Sequence, residues 1–225
     1  MKKVILITFI IVSALAVLTG CSLKKQNLAG VDKVEKTISD VNAYSSAEVV
    51  FTNEETGSPV QSFRYTFDGD KMVYLYRQFN ADGQEKITYS NGTDTWVKDY
   101  GEDTAQKMND SVNFPAYTKT SRHIFATGNV IFYMNGFIQM HVANERADGP
   151  TTYMYTYNAD KVSEKTGANI KSITTTFYYK KDGSFMYMLQ DNKSVSEYKE
   201  ISMNTRLEFK DVNQVVSIEN PFENQ

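Results

Sequence analysis

The sequence predicts an α+β fold dominated by antiparallel strands, with one amphipathic helix ahead of a curved sheet and a helical insertion part-way along it. Three observations carry that reading. Phe63, Tyr65 and Phe67 alternate with Ser62, Arg64 and Thr66, and the same period of two recurs at Met72, Tyr74 and Tyr76 and at Tyr153, Tyr155 and Tyr157; this is the spacing of a strand with one buried face. Asp68-Gly69, Asp82-Gly83, Asn91-Gly92 and Asp182-Gly183 punctuate such runs, and their residues accept the positive φ that tight hairpins require. Leu28, Val31, Val34, Ile38 and Val41 instead recur at intervals of three and four, the apolar stripe of a helix.

Taken in order, residues 30–41 form the helix, whose stripe must lie against an apolar surface. Residues 43–100 read as a meander of four or five strands, in which Ile87 alternates with Tyr89, and Trp96 and Tyr100 repeat the pattern. Beyond Glu102 the alternation weakens. Thr104 can cap a short helix with Ala105, Met108 and Val112 on one face, ended by Phe114-Pro115. Residues 121–142 carry two signals: Asn135-Gly136 is a hairpin dipeptide, whereas Ile131, Met134 and Ile138 make a helical stripe. A mainly helical insertion is the reading adopted. Strands resume at Tyr153, followed by a short helix opened by Asn158 or Asp160 and closed near Gly167. A second meander then runs over 170–181, 184–191, 195–211 and 214–218, with Asp182-Gly183 and Asp191-Asn192 as turns.

The first residues carry an address. Lys2 and Lys3 precede an apolar or small run from Val4 to Leu18, too short at ~1.5 Å per residue to cross a ~30 Å hydrocarbon core comfortably, as befits a signal peptide. Leu18-Thr19-Gly20-Cys21 resembles the bacterial lipobox, which implies cleavage before Cys21 and diacylglyceryl attachment to its thiol. The expected organisation is a signal peptide over 1–20, an acylated tether over 21–29 and a single domain over 30–225. The expected location is the extracytoplasmic face of the cell membrane, with either membrane open if the host is diderm. Cys21 is the only cysteine, so no disulfide framework or paired thiol is available.

Composition removes most chemistry. Lys and Arg number 24 against 27 Asp and Glu, which leaves no basic field for nucleic acid. His123 and His141 are the only histidines and show no His-Glu-x-x-His spacing. Gly-x-Ser-x-Gly, the phosphate loop and Gly-x-Gly-x-x-Gly do not occur. Asp68-Gly69-Asp70 and the group Asp94, Asp99, Glu102 and Asp103 lack the ligand spacing of a calcium loop and read as turn residues. Neither an enzymatic centre, a metal nor a cofactor is expected.

What remains is the aromatic alternation. These rings form the face of the sheet packed on the first helix; on a strongly curved sheet the same face lines a concavity where an acyl chain is buried at ~25 cal/mol per Å². Met72, Met154, Met186 and Met188 add adaptable surface. The candidate lining is Phe63, Tyr65, Phe67, Tyr74, Tyr76, Trp96, Tyr155, Phe177, Tyr187 and Leu189. A slip of one residue inverts every assignment on a strand.

The layout of helix, meander, helical insertion and second meander resembles the bacterial half-barrel lipoprotein-carrier group, which includes the LolA and LolB carriers and the LppX-type lipoproteins. So does the close, in which Glu208-Phe209-Lys210-Asp211-Val212-Asn213 leads into Val215-Val216-Ser217-Ile218-Glu219-Asn220-Pro221. The resemblance implies an open half-barrel of about ten or eleven strands with helices on its concave side, a hydrophobic cavity and no catalytic residue. The function it implies is binding of a lipid or lipidated molecule as a carrier or receptor. An envelope protein-interaction or sensing module without a ligand cavity is the alternative.

Overall fold

In a computed structural model, residues 28–108, 135–146, 149–196 and 199–223 are described. Their alternating segments become β1 (Ala47–Asn53), β2 (Pro59–Asp68), β3 (Lys71–Phe79), β4 (Glu85–Ser90), β5 (Thr95–Lys98), β6 (Gln106–Met108), β7 (Ile138–Asn144), β8 (Thr151–Tyr157), β9 (Asn169–Tyr179), β10 (Phe185–Ser196) and β11 (Lys199–Lys210). All eleven join one sheet in the order β6-β5-β4-β3-β2-β1-β11-β10-β9-β8-β7, every pairing antiparallel and the two edges unjoined. This is the predicted α+β half-barrel. Each meander pairs with its sequence neighbours, and β1 meets β11 in the middle, with Val49 opposite Phe209 and Phe51 opposite Leu207.

Side-chain caps explain the tight turns. Asn91 Oδ1 accepts the N–H groups of Thr93 and Asp94, and Asp182 Oδ1 accepts from the backbone and hydroxyl of Ser184, local bonds that favour turns over strand continuation.

Helix α1 (Val31–Ala43) turns Val34, Thr37 and Val41 into the core. It begins at Gly30 in the left-handed region, φ 72°. Helix α2 (Ala159–Thr166) is capped as its sequence indicated: Asn158 Oδ1 accepts the Lys161 N–H, and Gly167 closes the helix at φ 72°. The helix-bearing, inner face of the sheet holds the main core, including Val49, Phe51, Tyr65, Phe177, Met188 and Leu207. A smaller cluster of Ile87, Tyr89 and Phe222 sits on the outer face with Val73, Leu75, Trp96 and Ile218 against it.

Four expectations change. The stretch expected to become a helix from Thr104 contributes β6, with Val97 opposite Gln106 and Thr95 opposite Met108; pairing with the free edge of β5 outweighs a three-residue helical stripe. Val112 and Phe114 lie outside the described residues. Within 121–142, residues 121–134 also lie outside them, Asn135–Phe137 is a single 3₁₀ turn, and Ile138 onward is strand on β8. The helical reading thus fails for that end, where a β-bulge between Ile138 and Met140 leaves Ile138 buried opposite Tyr157 and turns Met140 and Val142 outward.

Asp191-Asn192 is no turn. Asp191 pairs with both Thr174 and Asn204, and Asn192 with both Ile173 and Met203, so ladders on two sides override a local turn preference. Finally, 214–218 is not a strand. After Asp211 and Asn213, both at positive φ, the chain crosses the outer face: Ser46 Oγ accepts the Val215 N–H, Val215 O accepts from Thr66 Oγ1, and Ile218 and Phe222 cover Ile87 and Tyr89.

Candidate functional site

The inner face is built from cross-strand rows. Val49 stands opposite Phe63 and Phe63 opposite Tyr76, Tyr65 opposite Tyr74, and Phe67 opposite Met72. Ring centroids in this block lie 5.4 Å apart for Phe63–Tyr74, 5.7 Å for Phe63–Tyr65 and 6.1 Å for Tyr65–Phe67, within the range of favourable aromatic pairs. In the second meander Tyr153 pairs with Phe177, Phe177 with Met188, and Met188 with Leu207. Seven of the ten candidate residues therefore share this face: Phe63, Tyr65, Phe67, Tyr74, Tyr76, Tyr155 and Phe177.

The other three are elsewhere. Trp96 is opposite Tyr89 on the outer face, with ring centroids 5.7 Å apart and Lys107 Nζ 5.6 Å from its ring centre. Tyr187 and Leu189 also face outward. A β-bulge between Phe185 and Tyr187 inserts one residue into the pairing with β9, so Phe185 and Met188 point inward while Tyr187 stacks on Tyr178 at 4.5 Å. Alternation counted along the chain cannot register an inserted residue. The same counting missed Val49, Phe51, Tyr179 and Leu207, although Tyr179 is in phase with Phe177, whereas Met72 and Met188 do lie in the core as expected.

Helix α1 lies over the second-meander half of the inner face. Tyr155 OH donates to Ala29 O at 2.9 Å, Thr37 Oγ1 and Tyr179 OH share a hydrogen bond of 2.9 Å, and Lys33 Nζ stands 4.4 Å from the Tyr179 ring centre. Burial pushes the Tyr179 phenol up to about 12, its bond with Thr37 acting in the opposite direction. Burial, with the neighbouring phenols second, also pushes Tyr155 up.

An unfolded tyrosine ionises near its ordinary value of about 10. As pH rises from about 10 to 12, the unfolded chain therefore releases protons that the folded chain keeps, and stability falls through that window. Thermal melts are expected to hold steady to about pH 9 and to drop above pH 10. Tyr179→Phe should flatten part of that drop; an unchanged alkaline slope in the variant would contradict the assignment.

Two recesses open on the surface. One of about 580 Å³ lies beside α2 and is lined by Gly136, Phe137, Lys161, Glu164 and Lys165. The other, about 130 Å³, lies at the β5–β6 edge between Lys86, Val97, Asp99, Glu102, Thr104, Gln106 and Met108. The candidate aromatic residues line neither. Asp99 pairs with Lys86 at 2.5 Å and Asp94 with Lys107 at 2.9 Å. Among the described residues no three His, Cys, Asp or Glu side chains converge as a metal site. His141 is exposed on β7, and His123 lies outside the described residues.

No protein-family model matches the sequence, and a search of curated proteins finds no relative. The structure is similar to the crystal structure of the Mycobacterium tuberculosis lipoprotein LppX, with a TM-score of 0.52 over 84% of this chain and 97% of that one, at 11% identity. An identity so low speaks for fold alone. The eleven-stranded open sheet with its inner-face helices is thus an LppX-like half-barrel.

Proposed function

We propose that the chain is a membrane-anchored, extracytoplasmic lipoprotein that holds a lipid or lipidated molecule on the inner face of its half-barrel, as a carrier or receptor with no chemical step. The observation that carries this reading is an LppX-like sheet whose inner face is tiled with aromatic and aliphatic side chains. An acyl chain that enters among these side chains gains in proportion to the apolar area removed from water, which is chiefly its own because the inner-face rings are already buried.

The anchor is Cys21. A diacylglyceryl group supplies two chains, and each buried CH₂ contributes ~0.8 kcal/mol, enough for stable attachment where one chain is marginal. Lys24 and Lys25 follow Cys21 by three and four residues in the sequence, and basic side chains so near an anchor favour anionic head groups. Leu28 is already buried in the core. At no more than ~3.6 Å per residue, the link from Cys21 to Leu28 keeps the domain within ~25 Å of the bilayer. Cys21→Ser is expected to abolish acylation and to remove the protein from the detergent-extracted membrane fraction; acylation that persists in the variant would overturn the lipobox reading.

The ligand claim is tested by native mass spectrometry of the processed full-length chain extracted from membranes, with a denaturing spectrum defining the covalently acylated mass. A stoichiometric lipid adduct above that mass is the expected result. A mass that stays bare after incubation with envelope lipids would move the assignment to a protein-interaction module. One observation favours that second reading: the Tyr178–Tyr187 stack stands on the outer face with Arg206 5.3 Å from the Tyr187 ring centre and 3.3 Å from Glu208, and Tyr and Arg are the residue types that dominate protein interfaces.

A further inference from the structure

A polar row crosses the inner face where packing alone would place hydrocarbon. Thr175 stands opposite Gln190, and Gln190 opposite Thr205. The row above them is Phe177, Met188 and Leu207, and the row below places Asn192 between Ile173 and Met203. Thr175 is 0% exposed, Gln190 5% and Thr205 8%. Thr175 Oγ1, Gln190 Oε1 and Asn192 Oδ1 are all buried without a hydrogen-bond partner among the described residues. A buried carbonyl oxygen that has given up water and found no donor destabilises the fold. Leucine or methionine would fill the Gln190 position without that cost, as Met188 does two residues earlier. Three such atoms on adjoining rows therefore point to a partner outside the described residues, and a bound molecule is one that the proposed function supplies.

The chemistry of the missing partner follows from the atoms. Two are amide oxygens, which only accept, and the third is a hydroxyl. The complementary group is a donor, an O–H or an amide N–H. Position along β9 shows how it arrives. Tyr179 at one end is bonded to α1, Ile170 at the other exchanges hydrogen bonds with Ser163 of α2, and Thr175 stands between. Helix α2 is the lighter cover: among its described side chains Val162 alone is buried, and eight residues form a marginal helix without packing.

We propose, building on the lipid reading above, that Thr175, Gln190 and Asn192 form a hydrogen-bonding subsite that selects amphiphiles carrying hydroxyl or amide donors over ester-only chains of the same length, with entry on the α2 side. The test is a native mass-spectrometric competition on the processed full-length chain between equimolar monopalmitoylglycerol, which carries two hydroxyls, and methyl palmitate, which has the same acyl chain and no donor. The hydroxylated probe is expected to dominate the adducts by about tenfold. Gln190→Leu with Thr175→Val should bring the ratio close to one while the methyl palmitate adduct persists. Thr175→Val alone, which keeps the side-chain shape, should lower it several-fold and provides the variant arm should the double variant not fold.

Equal adducts on the unsubstituted chain, or a preference the substitutions leave unchanged, would overturn the subsite and leave lipid binding standing. Failure of both probes to bind would overturn the lipid reading itself, and the subsite with it.

Discussion

Phe177→Ala is expected to cost about 3–5 kcal/mol of stability, a fall in melting temperature of roughly 6–20 °C for a domain of this size. The ring is 0% exposed. It pairs across strands with Tyr153 and Met188, and its centroid lies 6.1 Å from that of Tyr155 and 6.4 Å from that of Phe185. Those neighbours hang from the two flanking strands, β8 and β10, whose ladders to β9 hold them apart, so they cannot collapse together into the space. Tyr178→Ala, one residue on, supplies the contrast. Tyr178 is half-buried on the outer face and its stack on Tyr187 is open to water, so the loss should be about 1 kcal/mol. Equal losses at the two positions, measured by denaturant unfolding, would show that the inner and outer faces of β9 are wrongly assigned.

Gly30→Ala should be the next most damaging change. Gly30 has φ +72°, and a Cβ built there would lie 2.2 Å from Tyr153 Cδ1 and 2.5 Å from Cγ. The overlap reaches the root of the ring, so a small rotation does not relieve it. Tyr153 is itself 6% exposed and donates its hydroxyl to Glu145 Oε1 at 3.0 Å, which ties down its far end. The left-handed backbone contributes about 1 kcal/mol and overpacking a further ~1–3. Gly57→Ala isolates the two parts, because Gly57 has φ +69° and nothing within 4 Å of the added atom. It should lose only the backbone share. If both variants melt at the same temperature, the start of α1 does not sit against Tyr153.

Much of this fold was legible because its signals are local. An Asx or Gly at a turn acts on residues two or three away, and the Asp68-Gly69, Asp82-Gly83, Asn91-Gly92 and Asp182-Gly183 hairpins and the Asn158 cap could all be found without knowing the tertiary structure. Asp191-Asn192 has similar chemistry and was misread. Its conformation is decided by β9 and β11 on either side, whose approach no local pattern records. The site divides in the same way. Phe63, Tyr65, Tyr155 and Phe177 kept the phase of their strands, whereas the bulge after Phe185 turned Tyr187 and Leu189 outward and Tyr89 drew Trp96 to the outer face. The polar row was invisible for a further reason: Thr174-Thr175-Thr176 has no apolar alternation, so only the sheet reveals which threonine is inside.

The pairing of β1 with β11 has a consequence for how the chain reaches this state. Residues 48–53 must wait for residues 205–210, the longest sequence separation in the sheet, so relative contact order is high and folding falls toward the slow end of its range. Synthesis runs from the amino terminus, and each meander can zip up separately as it emerges. Until the final strand is available, Val49 and Phe51 on β1 and Met188 on β10 border an unpaired gap in the middle of the sheet, not at its rim. A chain cut short before Lys199 would expose two long apolar edges facing each other, each a template for strands of another molecule, so premature truncation is expected to produce aggregates in place of a smaller soluble half-barrel.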